Sequence, residues 1–135
     1  MTTTTGRGLA VTGPKLIYTE DGDCYGFSGL HQPSSGSTAE AFNFKTDAKP
    51  IRFNMMWGVN WDEHAENSYL GIEMKYNDVS VYLSRGEMTS QAGQFLAYPF
   101  RIGPFIIPAL TTCVIEVISS DAAVDQYVML EGKEI

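Results

Sequence analysis

The stretch Leu70 to Leu83, LGIEMKYNDVSVYL, restricts the fold more than any other part of the chain, because its alternation, its turn and its pairing register constrain one another. Leu70, Ile72, Met74 and Tyr76 fall on one face of an extended segment, and Gly71, Glu73 and Lys75 on the other. Asn77-Asp78 supplies two residues that tolerate the positive φ of a type I′ turn. With that pair as a two-residue turn, Tyr76 sits opposite Val79, Met74 opposite Val81 and Ile72 opposite Leu83. Three apolar cross-strand pairs then share one face, which is expected to be buried. The hairpin makes this a β-sheet protein.

The rest of the chain reads the same way. Residues 1–13 are Thr- and Gly-rich without apolar periodicity and are expected to form a flexible arm, with a single β-sandwich domain over 14–135. Short strands are predicted at KLIYTE and at CYGFSGLHQ, separated by the turn EDGD. In the second of these, Gly26 and Gly29 mark a bulge or the close approach of another group. TAEAFNFKT places Phe42 and Phe44 on one face, and IRFNMMWGVNW places Ile51, Phe53, Met55 and Trp57 on one face. SRGEMTSQAGQ reads as a polar connection crossing between sheets. Pro99, Pro104 and Pro108 punctuate an apolar run and mark edge positions and bends. Thr111 to Ser119 is apolar on both faces, so it is either central or covered by another subunit. DQYVMLEG closes the domain. Short strands at this spacing, with no helical period, indicate an all-β antiparallel sandwich of jelly-roll type, with an immunoglobulin-like sandwich as the alternative.

Composition narrows the function classes. A net charge of −7, with nine Lys and Arg spread singly, argues against a nucleic-acid partner. No apolar run has the length of a signal-peptide core near the start or of a membrane span elsewhere. Cys24 and Cys113 both fall in predicted strands and are expected to be reduced, buried thiols. At 19% charged residues the surface is poor in charge, as suits a protein that lives in an assembly.

Motifs for chemistry are sparse. Asp62, Glu63, His64 and Glu66 match neither a zinc-ligand spacing nor a calcium loop, so no metal or other cofactor is expected. The acidic turn at Glu20, Asp21 and Asp23 reads as a turn. There is no GxSxG, and His31 and His64 are the only histidines, so no nucleophilic centre is indicated and the chain reads as a non-enzyme. Trp57 belongs to the core face of its strand. Trp61, beside Asn60, Asp62 and Asn67, is the surface aromatic best placed for a glycan or partner contact, which makes a carbohydrate-binding module the alternative function.

Three stretches carry a family resemblance. An early strand with Cys24, Tyr25, Ser28 and Gly29, the FxF strand with Phe42 and Phe44, and the segment Ile106, Ile107 and Pro108 feeding the strand from Thr111 resemble the small jelly-roll virion proteins of tailed bacteriophages. The likeness runs loosely from Tyr18 to Val128. It implies a capsid decoration, cement or fibre-associated protein, often a trimer, whose partners are the major capsid protein or other virion proteins and whose place is the virion, assembled in the host cytoplasm. Val114 and Ile118, on the outer side of their strand, and Arg7, Leu9 and Val11 in the arm are the expected subunit contacts.

Overall fold

Nested antiparallel pairs organise the chain around the hairpin. The computed structural model describes residues 2–3, 8–12, 16–18, 21–31, 33, 37–59, 68–88, 100–120 and 125–135. Among these are eleven strands and no helix: β1 (Thr2–Thr3), β2 (Gly8–Thr12), β3 (Ile17–Tyr18), β4 (Asp23–Phe27), β5 (Ser37–Thr46), β6 (Ile51–Val59), β7 (Ser68–Tyr76), β8 (Val79–Met88), β9 (Phe100–Ile107), β10 (Thr112–Ser119) and β11 (Gln126–Glu134). β7 pairs with β8, β6 with β9, β5 with β10 and β4 with β11, all antiparallel. The four nested pairs form one long ribbon that is rolled up, so that its pairs fall alternately into two sheets, β1-β3-β4-β11-β6-β9 and β2-β5-β10-β7-β8. That connectivity is a jelly roll. Of the links joining β4 through β11, only the β7–β8 turn stays within a sheet.

The core lies between the sheets. One inner face presents Cys24, Ile51, Phe53, Met55, Trp57, Val128 and Leu130, and the other Phe42, Phe44, Leu70, Ile72, Met74, Cys113, Ile115 and Val117, all buried. The alternation that predicted Ile51, Phe53, Met55 and Trp57 on one face holds. Gln126 ties the layers together: its fully buried side chain accepts from Trp57 Nε1 at 2.9 Å and donates to the Ile118 carbonyl of the opposite sheet at 3.1 Å. A buried amide satisfied at both ends costs little and fixes how the sheets align. Gly26 lies where a Cβ would come within 2.8 Å of the Phe42 ring and 2.9 Å of Leu16, the close approach expected of it, whereas Gly29 lies past the end of β4 with open space where a Cβ would stand and a φ of 75° that suits glycine.

The hairpin register needs correction. Asn77 and Asp78 have φ of 48° and 67°, as a type I′ turn requires, and Tyr76 pairs with Val79. A bulge then follows: Lys75 pairs with Ser80 and Met74 with Tyr82, leaving Val81 unpaired, so Ile72 meets Ser84 and Leu83 falls opposite Glu73. Ile72 and Met74 are buried as expected, but Val81 and Leu83 are 46% and 56% exposed. β8 also runs on to Met88, so the first residues of the expected polar connection are strand. Pro104 does sit on an edge strand, β9, at a second bulge where Gly103 and Pro104 together face Asn54.

Candidate interaction surfaces

Of the groups weighed for chemistry, Glu20, Asp62, Glu63, His64 and Glu66 lie outside the described residues, and His31, Cys24 and Cys113 are held by the fold. Among the described residues no cluster of three or more His, Cys, Asp or Glu side chains comes together. In the acidic turn the Gly22 carbonyl accepts the Glu134 N–H at 2.9 Å. The His31 ring lies 3.0 Å from the Ser28 carbonyl, and the His31 backbone exchanges both hydrogen bonds with Gln126, so the residue extends the β4–β11 pairing. Neither cysteine is in a disulfide and both are buried, one in each sheet, and burial pushes the Cys113 thiol up to about 12. A thiol so shielded from solvent is no nucleophile at neutral pH. Among the described residues no helix is long and apolar enough to cross a membrane.

The expected contact residues separate. Asn60, Trp61, Asp62 and Asn67 lie outside the described residues, as does Arg7. Leu9 and Val11 lie in β2, whose backbone adds to the edge of β5 in the same chain, with Leu9 opposite Lys45 and Val11 unpaired at a bulge. Val114 and Ile118 are half-buried on the outer face of β10, which is central in its sheet, between β5 and β7. Between them Glu116 receives Lys75 Nζ at 2.9 Å and the Thr38 hydroxyl at 3.0 Å, with Glu73 3.9 Å from the same lysine. The Glu116 hydrogen bond, more than any other influence, raises the Lys75 pKa above its ordinary value. A polar ladder therefore interrupts the apolar outer side of β10.

Two other surfaces gather exposed apolar side chains. The first is the rim formed by the edge strands β8 and β9 and the turn after β9. Val79, Val81, Ile106 and Leu110 are 64%, 46%, 54% and 64% exposed. They are drawn to one end of the sandwich by Tyr76, which pairs with Val79 and donates its hydroxyl to the Ile106 carbonyl at 2.9 Å, and by Asn77, whose N–H donates to the Thr112 carbonyl at 2.8 Å.

The second surface is a trough of about 340 Å³ on the outer face of β4, β11, β6 and β9. One cross-strand row runs Phe27, Met129, Met56, Arg101, and the next runs Tyr25, Glu131, Asn54. Phe27 and Tyr25 are 54% and 45% exposed. Tyr127 lies over Gly58, in space that any larger residue there would fill, and meets Phe27 edge-on with ring centroids 5.8 Å apart. Phe27 is thus braced from one side and open on the other. A second depression of about 560 Å³ adjoins the trough, sharing Tyr25, Asn54 and Glu131. The signal for this surface was present in QYVML, a segment apolar on both of its faces, but only register shows which strands its outer residues join.

No family model and no curated protein matches the chain in sequence. Among solved structures, the chain is similar to the capsid protein in the crystal structure of the T13 IBDV viral particle, with a TM-score of 0.50 and 12% identity, over 84% of this chain and 32% of that one. A subviral particle protein of infectious bursal disease virus matches at a TM-score of 0.43 and 12% identity, over 87% of this chain and 32% of that one. An exo-β-1,3-galactanase from Phanerochaete chrysosporium matches at 0.38 and 10%, over 96% of this chain and 28% of that one. TM-scores of 0.43 and 0.38 carry no weight for function. This chain spans about a third of the length of the viral protein it matches at 0.50, and over that span the two share an antiparallel β-sandwich fold.

Proposed function

We propose that the chain is a non-enzymatic structural protein of a virus particle, one that decorates or cements the capsid of a tailed bacteriophage through protein–protein contacts. The aliphatic rim of Val79, Val81, Ile106 and Leu110 carries this reading. It offers exposed aliphatic side chains on β8, β9 and the turn after β9, and among the described residues the outer backbone edges of these two strands have no neighbour in their own sheets; such a surface suits coverage by another protein chain. The fold shared with a capsid protein supports the same reading. In it, the rim joins copies of the chain into a cyclic trimer or seats them on the major capsid protein. Residues 1–13, with Arg7, Leu9 and Val11, extend the contact while the β2 backbone anchors them to β5. The protein then belongs to the virion and is assembled in the host cytoplasm.

Light scattering on the full chain is expected to give a mass near three times the 14.9 kDa of one chain. Val81→Asp combined with Ile106→Asp is expected to reduce that mass to the monomer, or to abolish decoration of particles of the source virus, with an unchanged melting temperature. A parent chain that is monomeric, together with a double variant that decorates particles as well as the parent, would refute the proposal.

A further inference from the structure

We propose that the trough on the outer face of β4, β11, β6 and β9 binds a neutral oligosaccharide. Its chemistry differs from that of the rim. Phe27 and Tyr25 stand two residues apart on one strand and project on the same side, giving two aromatic groups in line along the trough. Across the trough from them, Glu131 on the adjacent β11, Asn54 on β6 and Arg101 on β9 present planar groups that between them donate and accept hydrogen bonds. A sugar ring has an apolar C–H face, which stacks on an aromatic ring, and an edge of hydroxyls, which planar amide, carboxylate and guanidinium groups bind two at a time. An apolar peptide would use the two aromatic groups of β4 and leave Asn54, Glu131 and Arg101 without partners, at a desolvation cost.

Charge and shape specify the ligand further. Arg101 and Glu131 are the charged groups lining the trough, one of each sign, so its lining is electrically balanced and favours an uncharged ligand over an acidic one. The adjoining depression continues past Tyr25, Asn54 and Glu131, so the site is open at that end and accommodates a linear chain in preference to a single sugar unit. The volume falls in the range of preformed small-molecule sites. The aromatic positions are braced before any ligand arrives, Phe27 by Tyr127 and the backbone by the β4–β11 ladder, which lowers the ordering cost of binding.

The test uses the full chain labelled with nitrogen-15 and titrated separately with three linear neutral hexasaccharides, of β-linked glucose, mannose and galactose. At least one is expected to shift the amides of Tyr25, Phe27, Asn54, Met129 and Glu131 at millimolar concentration. Tyr25→Ala and Phe27→Ala should each weaken that binding about tenfold, as loss of a stacking partner implies, without lowering the melting temperature. No shift with any of the three, shifts confined to other faces, or unaltered affinity in both variants would overturn the assignment. So would a change in oligomeric mass in the two variants without any response to sugar, which would make the trough a protein contact.

Discussion

β7 and β8 are joined by a two-residue turn and carry similar alternating apolar residues, yet one feeds the core and the other leaves its aliphatic side chains outside. Ile72 and Met74 of β7 are 0% exposed, against 46% and 56% for Val81 and Leu83 of β8. Two physical differences account for this. β7 lies between β10 and β8, so its inner face is packed by the opposite sheet and its edges are both paired, whereas β8 is the last strand of its sheet. The bulge at Val81 inserts one residue, and because side chains alternate with period two, a single insertion exchanges the faces of every later residue in the strand. Tyr82 then turns inward, its ring 5.2 Å from that of Phe105 in the other sheet, and Leu83 turns outward. Apolar alternation gives the period of a strand; the face it assigns holds only as far as the next bulge.

The sharpest test of this contrast is Ile72→Ala, which is expected to cost about 2–5 kcal/mol by leaving a cavity in a packed core. Chemical denaturation measures it, and a loss below that range would mean that the inner face of β7 is not packed as described. A second effect comes from alkaline pH. Cys113 of β10 pairs with Tyr76 of β7, and burial pushes its thiol from 9.0 up to about 12. Above pH 9.0 the unfolded thiol ionises while the folded one keeps its proton, so the unfolded state binds fewer protons and stability falls. Through the window from 9.0 to about 12 the fall is about 1.4 kcal/mol per pH unit; below 9.0 the contribution is fully present. Cys113→Ala should lower stability at pH 7 and flatten this slope. A parallel slope in the variant would assign the effect to another group, such as Tyr76, whose phenol burial also raises. The smallest effect belongs to β8: Leu83→Ala should change stability by less than about 0.5 kcal/mol. A loss comparable with that of Ile72→Ala would show Leu83 to be buried in solution, and so the comparison of the two strands to be wrong for the protein in solution.

Much of the fold was legible in the chain. The turn at Asn77-Asp78, the core faces of β5, β6 and β7, the edge position of Pro104 and the crowding at Gly26 all rest on local chemistry that period and residue type report. The candidate surfaces were less so. The trough draws one to three residues from each of four strands that are far apart in sequence, and none of those short contributions is a motif. Its aromatic positions could be read as one exposed face of β4, but their polar neighbours, Asn54, Arg101 and Glu131, become neighbours only through the order β4-β11-β6-β9.

The sequence by itself determined a sandwich of short antiparallel strands, because backbone alternation and turn chemistry act within a few residues and are written in adjacent positions. It also determined that the cysteines would be buried and Trp57 internal, since both sit on apolar faces of strands. The tertiary structure alone decided the register beyond the bulges, the division of exposed apolar residues between rim and trough, and the pairing of Glu116 with Lys75. Each of these depends on which strands become neighbours and on single-residue insertions. In a nested ribbon those neighbours lie up to a whole domain apart in the chain, so no local pattern encodes them.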